Sequence, residues 1–402
     1  MSVLIVPRSG NVATSNVMRF SQFCTGKKVI AEEWHGKPGW TRSHEMLNNP
    51  NPKILITRLS HIGDCILTMP MLTAIRQAIP GAQITWAVET PTQQLLKCHP
   101  DLNDVLLVPK GWMKKFACWP KLFRDLRAPK FDIVIDPQGI TKSAALGWIS
   151  GAPLRIGIRG QWGRELSPLL NNRLVVCHAS HLVDRTLELL KPLDISNVDT
   201  NFNLAVCPDS AESIQLYLDR EGLNERFVVI NPGASWLSKR WETERFASVT
   251  SYLHQHHGIR SVVTWAGQAE LAMANQIVAL NPSASLLAPA TSLLELAALC
   301  AKAYFFVGCD TGPLHLATAM GTLCIGLYGP TRPEQSGAYG PQHIAIQKRY
   351  QSGSCRQRRQ ATNDAMREIS SADVNAACDR MCEKLGEGTK NQSVPDSCPR
   401  VA

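Results

Sequence analysis

From Lys53 to about residue 350, short apolar runs alternate with longer segments of helical periodicity. One series includes residues 54–57, 84–88 and 131–136, and a second series of the same kind begins at 227–231. Apolar runs separated by amphipathic helices are typical of a parallel sheet covered by helices. The pattern predicts an α/β fold with two Rossmann-like, doubly wound halves that face a central cleft.

The length of 402 residues, of which 44% are hydrophobic, is sufficient for two ordinary cores. The pattern breaks between Pro192 and Asp209, where we place the boundary. Both ends of the chain are polar and rich in Gly, Ser, Asn or Pro. We therefore predict five segments: a disordered extension over 1–52, the two halves over 53–205 and 206–350, a helical segment over 351–385 and a disordered tail over 386–402.

The formal net charge of +9 would suit a polyanionic partner, but a solvated basic face is the alternative. The thirteen cysteines are scattered and form no Cys-x-x-Cys pair, so neither a disulfide framework nor structural zinc is expected.

The short apolar run at residues 3–6 turns polar at Arg8 and lacks the core of a signal peptide. The most apolar stretch, 293–309, is short and is interrupted by Glu295 and Lys302. We therefore expect a cytoplasmic protein without a transmembrane helix.

Three strand-to-helix turns contain groups that could carry out chemistry. The first runs from Arg58 to Asp64 and follows the strand 54–57, so it should face the cleft. Gly63 permits close backbone approach, and Asp64 lies near a helix start, where the dipole favours a carboxylate. The alternative is that Asp64 only caps the helix.

The second turn, residues 231–241, follows the strand 227–230 and contains Gly233, Ser235 and Lys239. Backbone amides, a hydroxyl and an ammonium within reach of one another suit a diphosphate. The spacing does not match a P-loop, and an ordinary connection with surface cations is the alternative.

The third turn, residues 308–315, lies between a strand and an apolar helix. Its backbone amides could bind an anion. Asp310 and Thr311 could instead only cap the helix, and His315 could be a core histidine. Weaker signals are Glu270, which could accept a ribose hydroxyl, and Gln138 with Lys142 after the strand 131–136.

At these residues the chain resembles glycosyltransferase family nine, the lipopolysaccharide core heptosyltransferases, over residues 53–348. The resemblance rests on 60–70, 132–143, 231–241 and above all on 310–317. It implies a GT-B architecture, with the acceptor on the first half and an ADP-heptose donor on the second. The first 50 residues and the tail after about 386 have no counterpart in the family.

The resemblance also implies residue roles: Asp64 as catalytic base, Lys239 on the diphosphate, and Glu270 on the ribose. The expected donor-binding residues are Ser235, Lys239, Glu270, Asp310, Thr311, Gly312, Leu314 and His315. The expected acceptor-side residues are Ser60, Gly63, Gln138 and Lys142.

The resulting hypothesis is inverting transfer of a heptose from ADP-heptose to the lipopolysaccharide inner core. The sequence has no Asp-x-Asp pair, so we expect no metal requirement and no cofactor. A membrane-anchored acceptor would place a basic enzyme on the inner membrane as a peripheral protein, with no nucleic-acid partner. The alternatives are a transferase for another nucleotide sugar or glycan, a nucleotide-sugar epimerase, and a non-catalytic nucleotide- or glycan-binding module. A dehydrogenase is disfavoured because no Gly-x-Gly-x-x-Gly follows a strand.

Overall fold

A computed structural model of the chain describes residues 49–196, 198–223 and 225–390. The predicted extension over 1–52 therefore falls almost wholly outside the described residues, and so does the predicted tail from residue 391 onward. The folded body begins at Lys53, the first residue of the first strand, as the sequence predicts.

The first half contains a parallel sheet of six strands in the order β3-β2-β1-β4-β5-β6. Its central strands are rich in Ile, Leu and Val and are buried beyond their first residue, because helices cover both faces. Ile54 pairs with Ile84 on one side and with Ile133 on the other. The strands are β1 (Lys53–Thr57), β2 (Gln83–Val88), β3 (Asp104–Leu107), β4 (Ile133–Ile135), β5 (Leu154–Arg159) and β6 (Arg173–Val176).

Helices connect these strands in the right order for a doubly wound sheet. Pro70 lies in the first turn of a helix, where its missing N–H costs nothing, and the preceding helix ends at Ile66. The helices are α1 (Ile62–Ile66), α2 (Met69–Ala78), α3 (Gln93–Lys97), α4 (Trp119–Arg127), α5 (Thr141–Ser150), α6 (Ser167–Leu170) and α7 (Leu182–Glu188), with 3-10 turns at Trp112–Lys114, Phe116–Cys118 and Lys191–Leu193.

The second half repeats this arrangement with a parallel sheet in the order β12-β11-β10-β7-β8-β9. Val307, in a central strand, pairs with Ile230 and Ile325. The strands are β7 (Phe227–Asn231), β8 (Arg260–Val263), β9 (Ser285–Leu287), β10 (Phe305–Cys309), β11 (Cys324–Leu327) and β12 (Ile344–Ile346).

Local sequence signals set the helices of this half. Ser292 and Glu295 form a capping box at the start of the helix Leu293–Lys302, and Gly258, with φ of 66°, ends the helix Thr243–His257. The helices are α8 (Pro208–Arg220), α9 (Thr243–His257), α10 (Gly267–Leu280), α11 (Leu293–Lys302), α12 (Gly312–Ala319), α13 (Pro333–Ser336), α14 (Cys355–Gln360), α15 (Asp364–Arg367) and α16 (Ser371–Lys390), with a 3-10 turn at Leu237–Lys239.

The predicted α/β architecture of two Rossmann-like halves is confirmed. The boundary predicted at residues 205/206 falls between β6 and β7, just before α8, which packs against α11 of the second half; the boundary itself stays a prediction. The predicted helical segment over 351–385 contains α14, α15 and most of α16, and α16 packs on α9. Helix α16 continues to Lys390, five residues into the predicted tail. Within the described ranges, no helix is long and apolar enough to cross a membrane.

Candidate active site

The turn after β1 presents Asp64 at the carboxyl edge of the first sheet. Its Oδ2 atom lies 2.9 Å from Arg58 Nη2 and 3.7 Å from His61 Nδ1. The N-cap of α1 is His61, so Asp64 lies within the first turn and does not cap it. The capping alternative for Asp64 is therefore wrong, whereas its predicted position at the positive end of the helix is confirmed.

The environment of Asp64 favours its carboxylate. Burial of the carboxyl group raises its pKa, but the Arg58 guanidinium, helped by the neighbouring His61, outweighs burial and holds the pKa of Asp64 well below its usual range. The side chain remains 38% exposed, so another molecule can reach it. Asp64 is thus an accessible carboxylate that stays ionised at neutral pH.

Arg58 is fixed by the turn after β4. Its Nη1 atom donates to the Pro137 carbonyl at 2.9 Å, and the Leu59 amide donates to Gln138 Oε1 at 2.9 Å. Behind this turn, buried Asp136 accepts from the Gly139 amide, and burial raises the pKa of Asp136. The predicted acceptor-side residue Gln138 therefore holds the two turns together.

Lys142 and Ser60 meet on the same side of Asp64. Lys142 Nζ donates to Ser60 Oγ at 3.2 Å and to Glu89 Oε1 at 3.3 Å. Lys142 lies in the first turn of α5, and Glu89 directly follows β2. The structure thus brings together the predicted acceptor-side residues Ser60, Gln138 and Lys142 and adds Glu89 to them.

In the second half, Lys239 and Asp310 form a buried ion pair. Lys239 Nζ donates to Asp310 Oδ2 at 2.7 Å and to the Asp310 carbonyl at 2.9 Å. His315 Nε2 lies 3.3 Å from Asp310 Oδ1. Burial raises the pKa of Asp310, but the Lys239 ammonium, helped by His315, outweighs it and keeps that pKa well below the usual range. An ammonium has three N–H donors, so one remains for a ligand.

The turn after β10 leads into α12 without a side-chain cap. Thr311 is the N-cap residue, but its hydroxyl donates to the Cys309 carbonyl instead, and the Asp310 carboxylate is committed to Lys239. The alternative that Asp310 and Thr311 only cap this helix is therefore wrong. The first amides of α12, beginning at Gly312, have no side-chain acceptor from the N-cap and suit an anion.

His315 and Leu314 on α12 are both buried. Leu314 packs in the hydrophobic core, so only its main chain could contribute to a donor site. Among the described residues, His315 Nδ1 has no hydrogen-bond partner. Only one ring nitrogen of His315 thus has a polar partner, whereas both are usually hydrogen-bonded in an ordinary core histidine.

Glu270 and Ser235 lie at the second turn of this half. The Glu270 carboxylate accepts from the Ala266 amide at 2.9 Å and lies directly against Gly233, where a Cβ atom would come within 2.2 Å of it. Burial raises the pKa of Glu270. Ser235 is exposed on the same turn. Because Gly233 has no side chain to cover the Glu270 carboxylate, a ligand bound at this turn could reach it, as a ribose contact would require.

The two sets of residues face each other across the cleft. A Cβ atom on Gly63 would lie 2.4 Å from His315 Cδ2, and one on Gly312 would lie 3.3 Å from Ile62 Cγ2. Helices α1 and α12 therefore approach so closely that Gly63 has no room for a side chain. The prediction that Gly63 permits close approach is correct, and the partner is His315.

A second contact between the halves lies beside α7. Tyr339 donates to Asp184 Oδ1 at 2.5 Å, and His181 Nε2 lies 3.2 Å from the Gly337 carbonyl. His181 Nδ1 accepts from the Val183 amide, so Nε2 carries the proton and donates. These contacts hold the cleft in the arrangement described.

Sequence reasoning missed Arg58, Glu89 and Arg185. Glu89 could have been found, because it directly follows a strand that ends at the same sheet edge as Asp64. Arg185 is buried and lies over the Trp162 ring at 3.8 Å, a contact between residues far apart in sequence.

Among the residues that the structure describes, no group of three or more His, Cys, Asp or Glu side chains is arranged as a metal site.

Comparison with known proteins agrees with this geometry. Residues 119–366 match the family described as glycosyltransferase family 9 (heptosyltransferase). The chain is 32% identical to lipopolysaccharide heptosyltransferase 1 of Escherichia coli K12, over 72% of this chain and 91% of that protein. It is 29% identical to the protein of the same name from Pseudomonas aeruginosa, over 75% of this chain and 86% of that protein.

Solved structures share the fold. The E. coli heptosyltransferase WaaC with ADP superposes with a TM-score of 0.66 at 27% identity, covering 83% of this chain and 99% of that chain. A family 9 glycosyl transferase from Veillonella parvula gives a TM-score of 0.70 at 24% identity, covering 83% and 97%. The expected GT-B architecture is thereby confirmed. The chain belongs to glycosyltransferase family 9, the heptosyltransferase family.

Proposed function

We propose that this enzyme transfers a heptose from ADP-heptose to a sugar hydroxyl of the lipopolysaccharide inner core. The observation behind the proposal is the close approach of two unlike sites, an accessible ionised Asp64 and an anion-binding turn beside Lys239. Relatives named as lipopolysaccharide heptosyltransferases, and a WaaC structure with ADP-2-deoxy-2-fluoro heptose, support the choice of donor and acceptor.

In the proposed reaction, Asp64 removes the proton from the acceptor hydroxyl as its oxygen attacks the anomeric carbon. The bond from that carbon to the diphosphate oxygen breaks on the opposite face, which inverts the configuration and releases ADP. Positioning by the cleft supplies much of the rate. Lys239, Ser235 and the amides at the start of α12 stabilise the charge that develops on the diphosphate.

Ionisation of Asp64 suits this role. Because Arg58 keeps the carboxylate ionised, the base is available at neutral pH without prior deprotonation. Its basicity is correspondingly weak, so proton transfer would accompany or follow attack on a sugar carbon that already bears positive charge. Ser60, Gln138 and Lys142 would position the acceptor, and Glu270 would accept a bond from the donor ribose.

The direct test measures ADP release from ADP-heptose, with and without a lipopolysaccharide-core acceptor, in excess chelator. The proposal requires release that depends on the acceptor and resists the chelator. Release of ADP without acceptor, or conversion of the donor to an isomer, would contradict it. Binding of the donor without turnover on any core acceptor would favour a binding module.

We also propose that the enzyme works at the inner membrane as a peripheral protein. The acceptor would be anchored in that membrane, and the net charge of +9 favours an anionic surface. Sedimentation with inner-membrane vesicles should fall as salt rises. Association that is insensitive to salt would contradict an electrostatic attachment.

A further inference from the structure

A basic segment, residues 110–130, connects β3 to β4 and includes α4. It contains seven Lys and Arg residues and one acid, Asp125, so it supplies a large part of the net charge of the chain. All seven cations are exposed. Asp125 is already paired with Lys121 at 2.5 Å. The segment therefore presents a concentrated positive surface.

The same segment exposes apolar side chains. Phe116 is 71% exposed and Met113 is 43% exposed, and both lie next to lysines. A charged face that only meets water has no need of exposed Phe and Met side chains, so solvation does not explain them. They indicate a partner that is both anionic and apolar.

The exposed residues stand on a firmly anchored base. Trp112, Leu122 and Leu126 are buried in the core beneath them. Phe116 packs edge-on against Trp119, with ring centroids 5.0 Å apart, and the Trp119 indole donates to the Trp112 carbonyl at 3.0 Å. Phe116 and its lysines are therefore held outward by packing.

The position of the segment fits the proposed acceptor. It begins three residues after the end of β3, at the carboxyl edge of the first sheet, where Asp64 follows β1 and Glu89 follows β2. Strand β3 is the outermost strand on this side. A surface docked on the basic segment would thus lie beside the acceptor half of the cleft.

We propose that residues 110–130 are the membrane-docking surface of the enzyme, with Phe116 and Met113 inserted between the headgroups of an anionic phospholipid bilayer. Lys114, Lys115, Lys121 and Arg124 would contact the lipid phosphates. This inference rests on the proposed function, because it assumes a lipid-anchored acceptor. It adds where the enzyme contacts the membrane and how: apolar side chains insert into the bilayer while cations bind its headgroups.

Charge distinguishes the bilayer from the other possible occupants. A symmetric dimer through this face would bring the cations of two copies together, which is unfavourable. A duplex nucleic acid would satisfy the cations but would give Phe116 and Met113 no apolar surface to contact. An anionic bilayer matches both parts of the surface, since its headgroups accept the cations and its acyl boundary accepts the apolar side chains.

The test compares full-length variants for sedimentation with vesicles of phosphatidylglycerol and phosphatidylcholine. Lys114→Gln with Lys115→Gln should weaken binding about 25-fold, because each cation near such a surface contributes about fivefold. Phe116→Ser should weaken it about tenfold through lost apolar contact. Thermal unfolding of both variants should match the parent enzyme, since the replaced side chains are exposed.

Matched controls lie on the second half. Lys302→Gln with Lys384→Gln removes the same charge from exposed positions, and Leu280→Ser removes an apolar side chain that is 53% exposed. Both should bind vesicles as the parent does. Equal losses in controls and test variants would overturn the proposal, and so would tight binding of duplex DNA with the charge variant weakened and Phe116→Ser unaffected.

Activity assays on two acceptors, one anchored in vesicles and one soluble, test the docking surface separately from the transfer reaction. On a lipid-anchored core acceptor in vesicles, the charge variant and Phe116→Ser should show a raised KM. On a soluble, deacylated core acceptor they should match the parent. Full activity of these variants on the vesicle substrate would overturn the docking surface while leaving the transfer reaction intact. Inactivity of the parent on both acceptors would instead contradict the proposed function.

Discussion

Arg58 Nη2 lies 2.9 Å from Asp64 Oδ2, and the Arg58 guanidinium is itself held by the Pro137 carbonyl. The ion pair therefore connects the turn after β1 to the turn after β4. It explains how a carboxyl group in a partly closed cleft can remain ionised. Arg58 is therefore a positioning residue: it keeps the Asp64 carboxylate ionised and in place.

Replacing Arg58 with Gln should move the acid limb of the kcat/KM profile to higher pH. In the parent, the pKa of Asp64 is depressed, so the base stays ionised through neutral and mildly acidic pH. Without the cation, burial remains and raises that pKa. Arg58→Lys should keep most of the parent profile. An acid limb at the same pH in the Gln variant would show that Arg58 does not control the base.

Replacing Lys239 with Met should destabilise the fold as well as the donor site. Lys239 and Asp310 are 15% and 4% exposed, so the variant leaves a buried carboxylate without its cation. Loss of one partner of such a pair costs about 3–5 kcal/mol of unfolding free energy. Adding Asp310→Asn should restore much of it, as urea titration would reveal. A single variant as stable as the parent would contradict the buried pair.

Acidification should weaken ADP binding through Glu270. Burial raises the pKa of Glu270 above its usual 4.5, so the carboxylate begins to protonate at a higher pH than an ordinary glutamate. Protonation removes the negative charge of the proposed ribose acceptor and so weakens the hydrogen bond that it accepts. Calorimetry over a series of falling pH values, continued below the usual glutamate pKa of 4.5, should show this decline in the parent and a flatter response in Glu270→Gln. Parallel declines in both proteins would assign the effect to another group.

Replacing Gly63 with Ala should separate the facing sites. The new Cβ atom would lie 2.4 Å from His315 Cδ2, so α1 and α12 must move apart. A misplacement of about 1 Å can cost about 100-fold in rate, and kcat/KM should fall on that order. Gly386→Ala is the control, because a Cβ atom at that position of α16 would meet no atom within 4 Å, so kcat/KM should stay near the parent value. Equal effects of the two changes would contradict a tight approach at Gly63.

Much of the fold followed from the sequence because buried parallel strands read as continuous apolar runs. Strands β1, β2, β4, β7 and β10 were predicted for that reason. Strand β5 was missed because Arg155 and Arg159 interrupt it and Gly157 weakens its pattern. Helix α5 was missed because most of its residues are buried, among them Ser143 and Gly147, so its apolar residues form no single stripe.

The turns of the candidate site were predictable, whereas the pairing of their side chains was not. Strand ends at one sheet edge can be inferred from order alone, which placed Asp64 and Gln138 together. The Lys239 to Asp310 pair joins residues 71 positions apart, and no spacing in the sequence indicates it. For the same reason, Lys239 was predicted to bind the diphosphate, but its ion pair with the Asp310 carboxylate was not predicted.

The central claim is that Asp64 is the base for transfer from ADP-heptose. The most direct test is Asp64→Asn, with turnover on a core acceptor and donor affinity measured on the same preparation. Loss of a general base should lower kcat by about 100-fold to 10,000-fold, while the donor Kd changes little because Lys239 and Asp310 are untouched. Turnover within a few fold of the parent would contradict the account.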